Sequence, residues 1–166
     1  MESNAIYYKY QWRSFEKQIE KVIDYIEKLG FHGHKNYAKR TSEGLYLEGE
    51  CFDYEIFLPN RHDCFDAKEC NTDTFPLANI HEHQVEFMRC FEKQDGVAFI
   101  LISYTHRNEY YYLTFKKLTE FWDRAAEGGR KSFRYEELEP AFFLPEVPGI
   151  LVPYLNALQL DLNCRA

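Results

Sequence analysis

Between Ser14 and Leu29 apolar residues return every three or four positions, with Phe15, Ile19, Val22, Ile23 and Ile26 on one side of a predicted helix. Ser14 stands where an N-cap belongs, and Gly30 ends the run. From Phe31 to Gly49 the pattern fades, leaving a basic patch at Lys35, Lys39 and Arg40 and a short alternation around Leu45 to Leu47. Asp53 to Leu58 and His62 to Glu69 read as two strands joined by a tight turn at Pro59-Asn60. Asn71 to Leu77 is expected to be polar loop. His81 to Phe91 follows as an amphipathic helix with Val85, Met88 and Phe91 inward. Val97 to Ile102 is unbroken apolar sequence, the signature of a strand buried on both faces. Glu109 to Thr114 should pair beside it through a polar turn. A further helix is predicted over Phe115 to Glu127, closed by Gly128-Gly129. Beyond it prolines accumulate, and the chain is expected to wrap the core irregularly. No internal repeat, low-complexity tract or linker divides the sequence. A single α/β domain over residues 1–166, with a central mixed sheet flanked by helices, is the expectation.

Composition narrows the class. Of 166 residues 45% are hydrophobic and 17% aromatic, enough for a packed core and too much for a disordered chain. No apolar run approaches the roughly 20 residues that span a bilayer. Met1 to Tyr10 lacks the basic-then-apolar order of a signal peptide. A cytoplasmic protein without membrane association is expected. The five cysteines form no CxxC pair and read as reduced thiols. His32/His34 and His81/His83 are the only close histidine pairs and lack the partners a structural zinc site needs. Twenty Lys and Arg against 27 Asp and Glu give a net charge of −7, which opposes DNA binding unless the basic residues are gathered locally.

The segment with most chemistry runs from Asp53 to Lys68. Twelve residues separate Asp53 from the run Asp66-Ala67-Lys68. If the turn lies at Pro59-Asn60, Asp53 and Asp66 come from adjacent strands, and Asp66 and Lys68 share a face because side chains alternate. Two carboxylates suit a hard cation, Mg²⁺ or Mn²⁺. A lysine beside them can orient water or offset charge on a phosphate. The same spacing also describes exposed strand carboxylates with a salt-bridging lysine. Lys116, Lys117, Arg124, Arg130, Lys131 and Arg134 read equally as a solvated face or a track for the DNA backbone. The Tyr110-Tyr111-Tyr112 run fits strand core better than a base-stacking platform.

Further strings then point one way: Phe15-Glu16-Lys17, Asp53-Tyr54, Phe65-Asp66-Ala67-Lys68-Glu69, Phe75-Pro76-Leu77, Asn79-Ile80-His81-Glu82-His83-Gln84, Gly96-Val97-Ala98-Phe99 and Gly128-Gly129-Arg130-Lys131-Ser132. In kind and order they resemble the RecU family of Holliday junction resolvases, from Arg13 to about Val152. The resemblance implies a restriction-endonuclease-like fold of the PD-(D/E)xK type and a homodimer that cuts branched DNA with Mg²⁺ or Mn²⁺. It implies Asp53, Asp66, Lys68 and Glu16 as catalytic residues. Asp53, Asp66, Glu16 and the backbone carbonyl of Ala67 would be the metal ligands, with His81 and Gln84 supporting them. Lys35, Lys39, Arg40, Arg130, Lys131 and Arg134 are the implied DNA contacts. Asp66 stands where the family usually has Glu. Only about 22 residues run from Phe31 to Asp53, so the family's long basic stalk is shortened or absent. Cys51-Phe52 and Glu55-Ile56 also depart from the family pattern, and Glu55 adds an acid near the site. Two functions follow: a structure-selective DNA endonuclease, or a nuclease-fold interaction protein whose acidic surface binds a protein partner. The catalytic set favours the first; the charge and the short stalk favour the second.

Overall fold

The computed structural model describes residues 15–36, 52–149 and 151–165. Ser14, Lys39, Arg40, Cys51 and the alternation around Leu45 to Leu47 lie outside them. Helix α1, Phe15–Lys28, buries Phe15, Gln18, Ile19, Ile23 and Ile26, the stripe its periodicity predicts. Gly30 ends it at φ 87°, a left-handed conformation that a residue with a Cβ resists.

A five-stranded sheet forms the centre. Its strands are β1 (His32–Lys35), β2 (Tyr54–Leu58), β3 (Arg61–Cys70), β5 (Val97–Tyr104) and β6 (Glu109–Thr114), in the order β1-β2-β3-β5-β6. β3 and β5 run parallel and the other neighbours antiparallel, so the sheet is mixed as expected. Every residue of β5 is buried, and the β2–β3 turn falls at Pro59-Asn60. Phe65, Phe99 and Tyr112 stack across three strands at 4.8 and 4.4 Å between ring centroids. Tyr111 and Tyr112 are therefore core. Phe143 bridges to Tyr111 along the outer side of β6, and the Leu144 N–H donates to the Tyr110 carbonyl at 2.9 Å, which covers that edge.

Helix α2, Glu82–Glu92, lies between β3 and β5 in sequence, and helix α3, Phe115–Ala126, follows β6 directly. Thr114 caps α3 by accepting from the Lys117 N–H at 3.1 Å. No helix among the described residues is long and apolar enough to cross a membrane. Cys64 and Cys70 are buried free thiols, Cys90 and Cys164 exposed ones.

Three segments differ from the expectation. β1 was not expected, because His-Gly-His-Lys has no apolar alternation; its pairing with β2 makes it a strand. The loop expected over Asn71 to Leu77 contains β4, Thr74–Pro76, paired with β7, Ser132–Arg134. The anchor is aromatic: buried Phe75 stacks on Phe133, which stacks on Phe121 of α3. The irregular C-terminal region ends in helix α4, Leu155–Arg165. It shows no apolar stripe because it buries Ala157, Leu158 and Asp161 while Leu155 is exposed. A polar tie holds it: the buried Tyr112 hydroxyl donates to Asp161 at 2.8 Å, and Arg165 reaches Asp161 and Glu92.

Candidate active site

Alternation along β3 turns Asp66 and Lys68 to one face of the sheet and Phe65, Ala67 and Glu69 to the other. Asp53 immediately precedes β2, and the pairing of Tyr54 with Phe65 carries it across from Asp66. The Asp53 N–H donates to Asp66 Oδ1 at 2.7 Å, while the Ala67 N–H supports the Asp53 carboxylate. The two acids are thus braced by each other's strand.

Asp66 is completely buried. Its second oxygen, Oδ2, accepts from Gln84 Nε2 at 2.5 Å and lies 3.1 Å from Lys68 Nζ. Gln84, buried on the first turn of α2, is oriented by its own acceptor, because the His81 N–H donates to Gln84 Oε1 at 3.0 Å. The amide nitrogen is then left to face Asp66. Burial, followed by the charge of Asp66, pushes the Asp53 carboxyl up to about 6; Lys68 and the Ala67 N–H oppose this, and Glu16 adds to it.

Glu16 stands on the second residue of α1 with its side chain largely exposed. It does not close a three-acid cluster: among the described residues, no three His, Cys, Asp or Glu side chains gather closely enough to hold an ion. Its carboxylate instead bonds Lys35, which also reaches Glu20 at 2.8 Å. Lys35 is thereby turned to the acids of α1.

His81 precedes α2, and its ring stacks on that of His83 at 5.5 Å with both exposed. Arg130 pairs with Glu137 and Arg134 with Glu136, each at 3.2 Å. Lys131 is exposed, and its carbonyl accepts from the Leu77 N–H at 3.1 Å, next to the turn that leads to His81. Glu55 shares the face of Asp53 but is held between two imidazoles, 3.1 Å from His34 and 3.3 Å from His62.

Two residues beside the site, Tyr54 and Glu69, belong to the strings that carry the resemblance but have no role assigned from the sequence. Glu69 Oε1 accepts from the Phe15 N–H at 2.9 Å, and the Tyr54 hydroxyl donates to the Glu16 carbonyl at 3.5 Å. They are 54 and 38 residues from their partners, so no local pattern announces them. Burial, then the charges of Glu16 and Asp53, push the Tyr54 phenol well above its ordinary value, which keeps it a proton donor.

The carboxylate oxygens of Asp53 and Asp66 are donors of the type a hard cation takes. Two braced carboxylates, one of them resisting ionisation, offer oxygen ligands to a divalent ion, and Mg²⁺ in particular keeps several waters beside few protein ligands.

The description "Recombination protein U" fits residues 3–160 of this sequence as a family. The chain belongs to the RecU family. The Holliday junction resolvase RecU of Bacillus subtilis is 37% identical over 122 residues, covering 73% of this chain and 58% of that protein. Its counterpart from Listeria innocua is 36% identical over 129 residues, covering 75% and 63%. The chain therefore spans less than two thirds of the length of these RecU relatives. Among solved structures, the Holliday junction resolvase Hjc of Archaeoglobus fulgidus matches 58% of this chain and 75% of its own, at 14% identity and a TM-score of 0.38.

Proposed function

We propose that this RecU-family chain is a metal-dependent endonuclease that hydrolyses phosphodiesters in branched DNA, four-way junctions among them. The observation that carries the reading is the convergence of Asp53, Asp66 and Lys68 on one sheet face, with Asp66 fully buried under Gln84 and Lys68. The names of the RecU relatives supply the substrate class. Asp53 and Asp66 would hold Mg²⁺ or Mn²⁺ with the Ala67 carbonyl beside them, and Glu16 would have to leave Lys35 to join the set. Such an ion lowers the pKa of a bound water and offsets phosphate charge. Asp53 and Asp66 fix the position of the charge, and Gln84 keeps Asp66 from turning away. Lys68 keeps an ammonium beside the reacting phosphate, where negative charge grows as water adds to phosphorus and a bridging oxygen leaves. His81 and His83 stand at the mouth of the same helix. Arg130, Lys131 and Arg134 are the proposed backbone contacts, joined by Lys39 and Arg40. Function as a homodimer in the cytoplasm belongs to the same proposal.

The test is incubation of the purified protein with end-labelled four-way junction, flap and linear duplex, with and without Mn²⁺. Cleavage of the junction in preference to duplex, only with the ion and not by Asp66→Asn, is expected. No cleavage of any form at any Mn²⁺ concentration would overturn the reading. The net charge of −7 then favours the second one, an acidic surface that binds a protein.

A further inference from the structure

Next to the paired acids, the same face of the sheet carries a row of rings. Asp53 immediately precedes β2, and alternation along that strand turns Glu55 and Phe57 to the side of Asp53. His34 and His32 of β1 lie opposite Glu55 and Phe57, and His62 of β3 lies opposite Phe57 on its other flank. The rings meet: the Phe57 centroid is 3.9 Å from that of His62, 5.4 Å from His32 and 6.2 Å from His34. Phe91 of α2 closes the inner end, edge-on to His62 at 5.0 Å. The outer side is open to solvent, with Phe57 39% exposed and the His34 and His62 side chains 38% and 36% exposed.

Glu55 sets the imidazoles. Its two oxygens lie 3.1 Å from His34 Nε2 and 3.3 Å from His62 Nε2, so one carboxylate orients both rings and keeps lone pairs to spare. These groups do not gather closely enough to hold an ion. Nor do they suit a phosphate, because the basic residues nearby turn to the opposite face. Lys35 goes to Glu16 and Glu20, and Arg61 to buried Asp63 at 2.7 Å. What the row does suit is a base. Phenyl and imidazole rings stack on the faces of unpaired bases, and a carboxylate accepts from the exocyclic amine of cytosine. Along β2 the row begins about 7 Å from Asp53 at Glu55 and reaches about 13 Å at Phe57.

We propose that Phe57, His32, His34 and His62 form a stacking platform for an unpaired base next to the cleaved phosphodiester, with Glu55 accepting from an amine of that base. The inference rests on the DNA nuclease reading above and adds a part of the substrate that the site would hold. Branched DNA offers such bases where its strands part. Stacking needs no positive charge, which fits a chain at −7.

The test is done without divalent metal, so that binding is read apart from cleavage. The probes are a linear duplex and the same duplex with a single-stranded flap that carries a fluorescent adenine analogue. Wild type should bind the flap more tightly than the duplex and quench the analogue. Phe57→Ala should weaken flap binding roughly tenfold, the scale of one lost base stack, and remove the quenching. Duplex affinity and the salt slope should stay unchanged, because no phosphate contact is lost. Phe57→Trp should restore both flap binding and quenching. Should Phe57→Ala fail to fold, Phe57→Leu keeps an apolar side chain without the ring and carries the same comparison. Wild type should also favour a cytosine flap over a thymine flap, and Glu55→Ala should abolish that preference. Flap binding and quenching that survive loss of the Phe57 ring would overturn the platform and leave the nuclease reading standing. So would equal weakening of flap and duplex with a smaller salt slope, which marks a phosphate contact. If wild type binds neither probe at low salt, the nuclease reading itself is wrong and the platform falls with it.

Discussion

At the residue scale, the site depends on how few groups carry the charge. Lys68 stands beside Asp66, and in the proposed mechanism it acts on the phosphate and not as a ligand, so Lys68→Ala should cut cleavage by at least about a hundredfold while leaving folding and Mn²⁺ affinity nearly intact. Single-turnover assays with calorimetry would show this, and equal cleavage by the variant would place the role elsewhere. Asp53 gives a pH signature. Its folded-state value, about 6, stands above the ordinary carboxylate value because burial and Asp66 disfavour the charge. A raised value means that its contribution to stability is present at acid pH and is lost as pH rises through about 6. In metal-free buffer the thermal midpoint should therefore fall by roughly a few degrees between about pH 5 and pH 7, and Asp53→Asn should flatten that fall. An identical pH profile in the variant would mean that another group titrates. Asp73 runs the other way. Arg107 and His106 beside it hold its carboxyl well below the usual range, so its stabilisation is present at neutral pH and fades in acid.

At the level of elements, legibility followed the strength of local periodicity. α1, β5, β6 and α3 were readable because burial on one or both faces leaves a repeating apolar pattern, and Gly30 and Gly128 mark helix ends by their positive φ. Asp53, Asp66 and Lys68 were readable as a face because strand alternation is strict once the turn at Pro59-Asn60 is placed. What failed were elements fixed by distant partners. β1 exists through pairing with β2, β4 through the Phe75 and Phe133 stack, and α4 through the tie from Asp161 to Tyr112. Lys35 and Glu16 were each read for separate roles, and the bond between them needed the fold. Gly128 tests the local side of this. Its φ is +90°, and a Cβ there would meet nothing within 4 Å. Gly128→Ala should cost about 1 kcal/mol from backbone conformation alone, measured by denaturant unfolding. A neutral result would mean that the loop relaxes to negative φ.

For the whole molecule, the proposed function requires a chain at −7 to approach a polyanion. Paired cutting of a four-way junction needs two sites related by symmetry, so a homodimer is expected at micromolar concentration by light scattering. A strict monomer would leave at most single nicks. The folded surface already spends part of its basic charge internally: Arg130 and Arg134 face Glu137 and Glu136, and Lys35 faces Glu16 and Glu20. Lys131 makes no ion pair among the described residues and is exposed on the strip that leads to His81, so it is the basic residue best placed to meet a phosphate there. Few such contacts mean weak binding, with log K falling by about 0.9 per contact for each decade of salt. Lys131→Glu should weaken binding to junction, flap and duplex by similar factors, since phosphate contacts position the DNA without reading its sequence. The salt slope should shrink by about one contact. Titration of labelled DNA at several salt concentrations measures both quantities. A Lys131→Glu protein that binds every DNA form as wild type does, with an unchanged slope, would move the phosphate track away from β7.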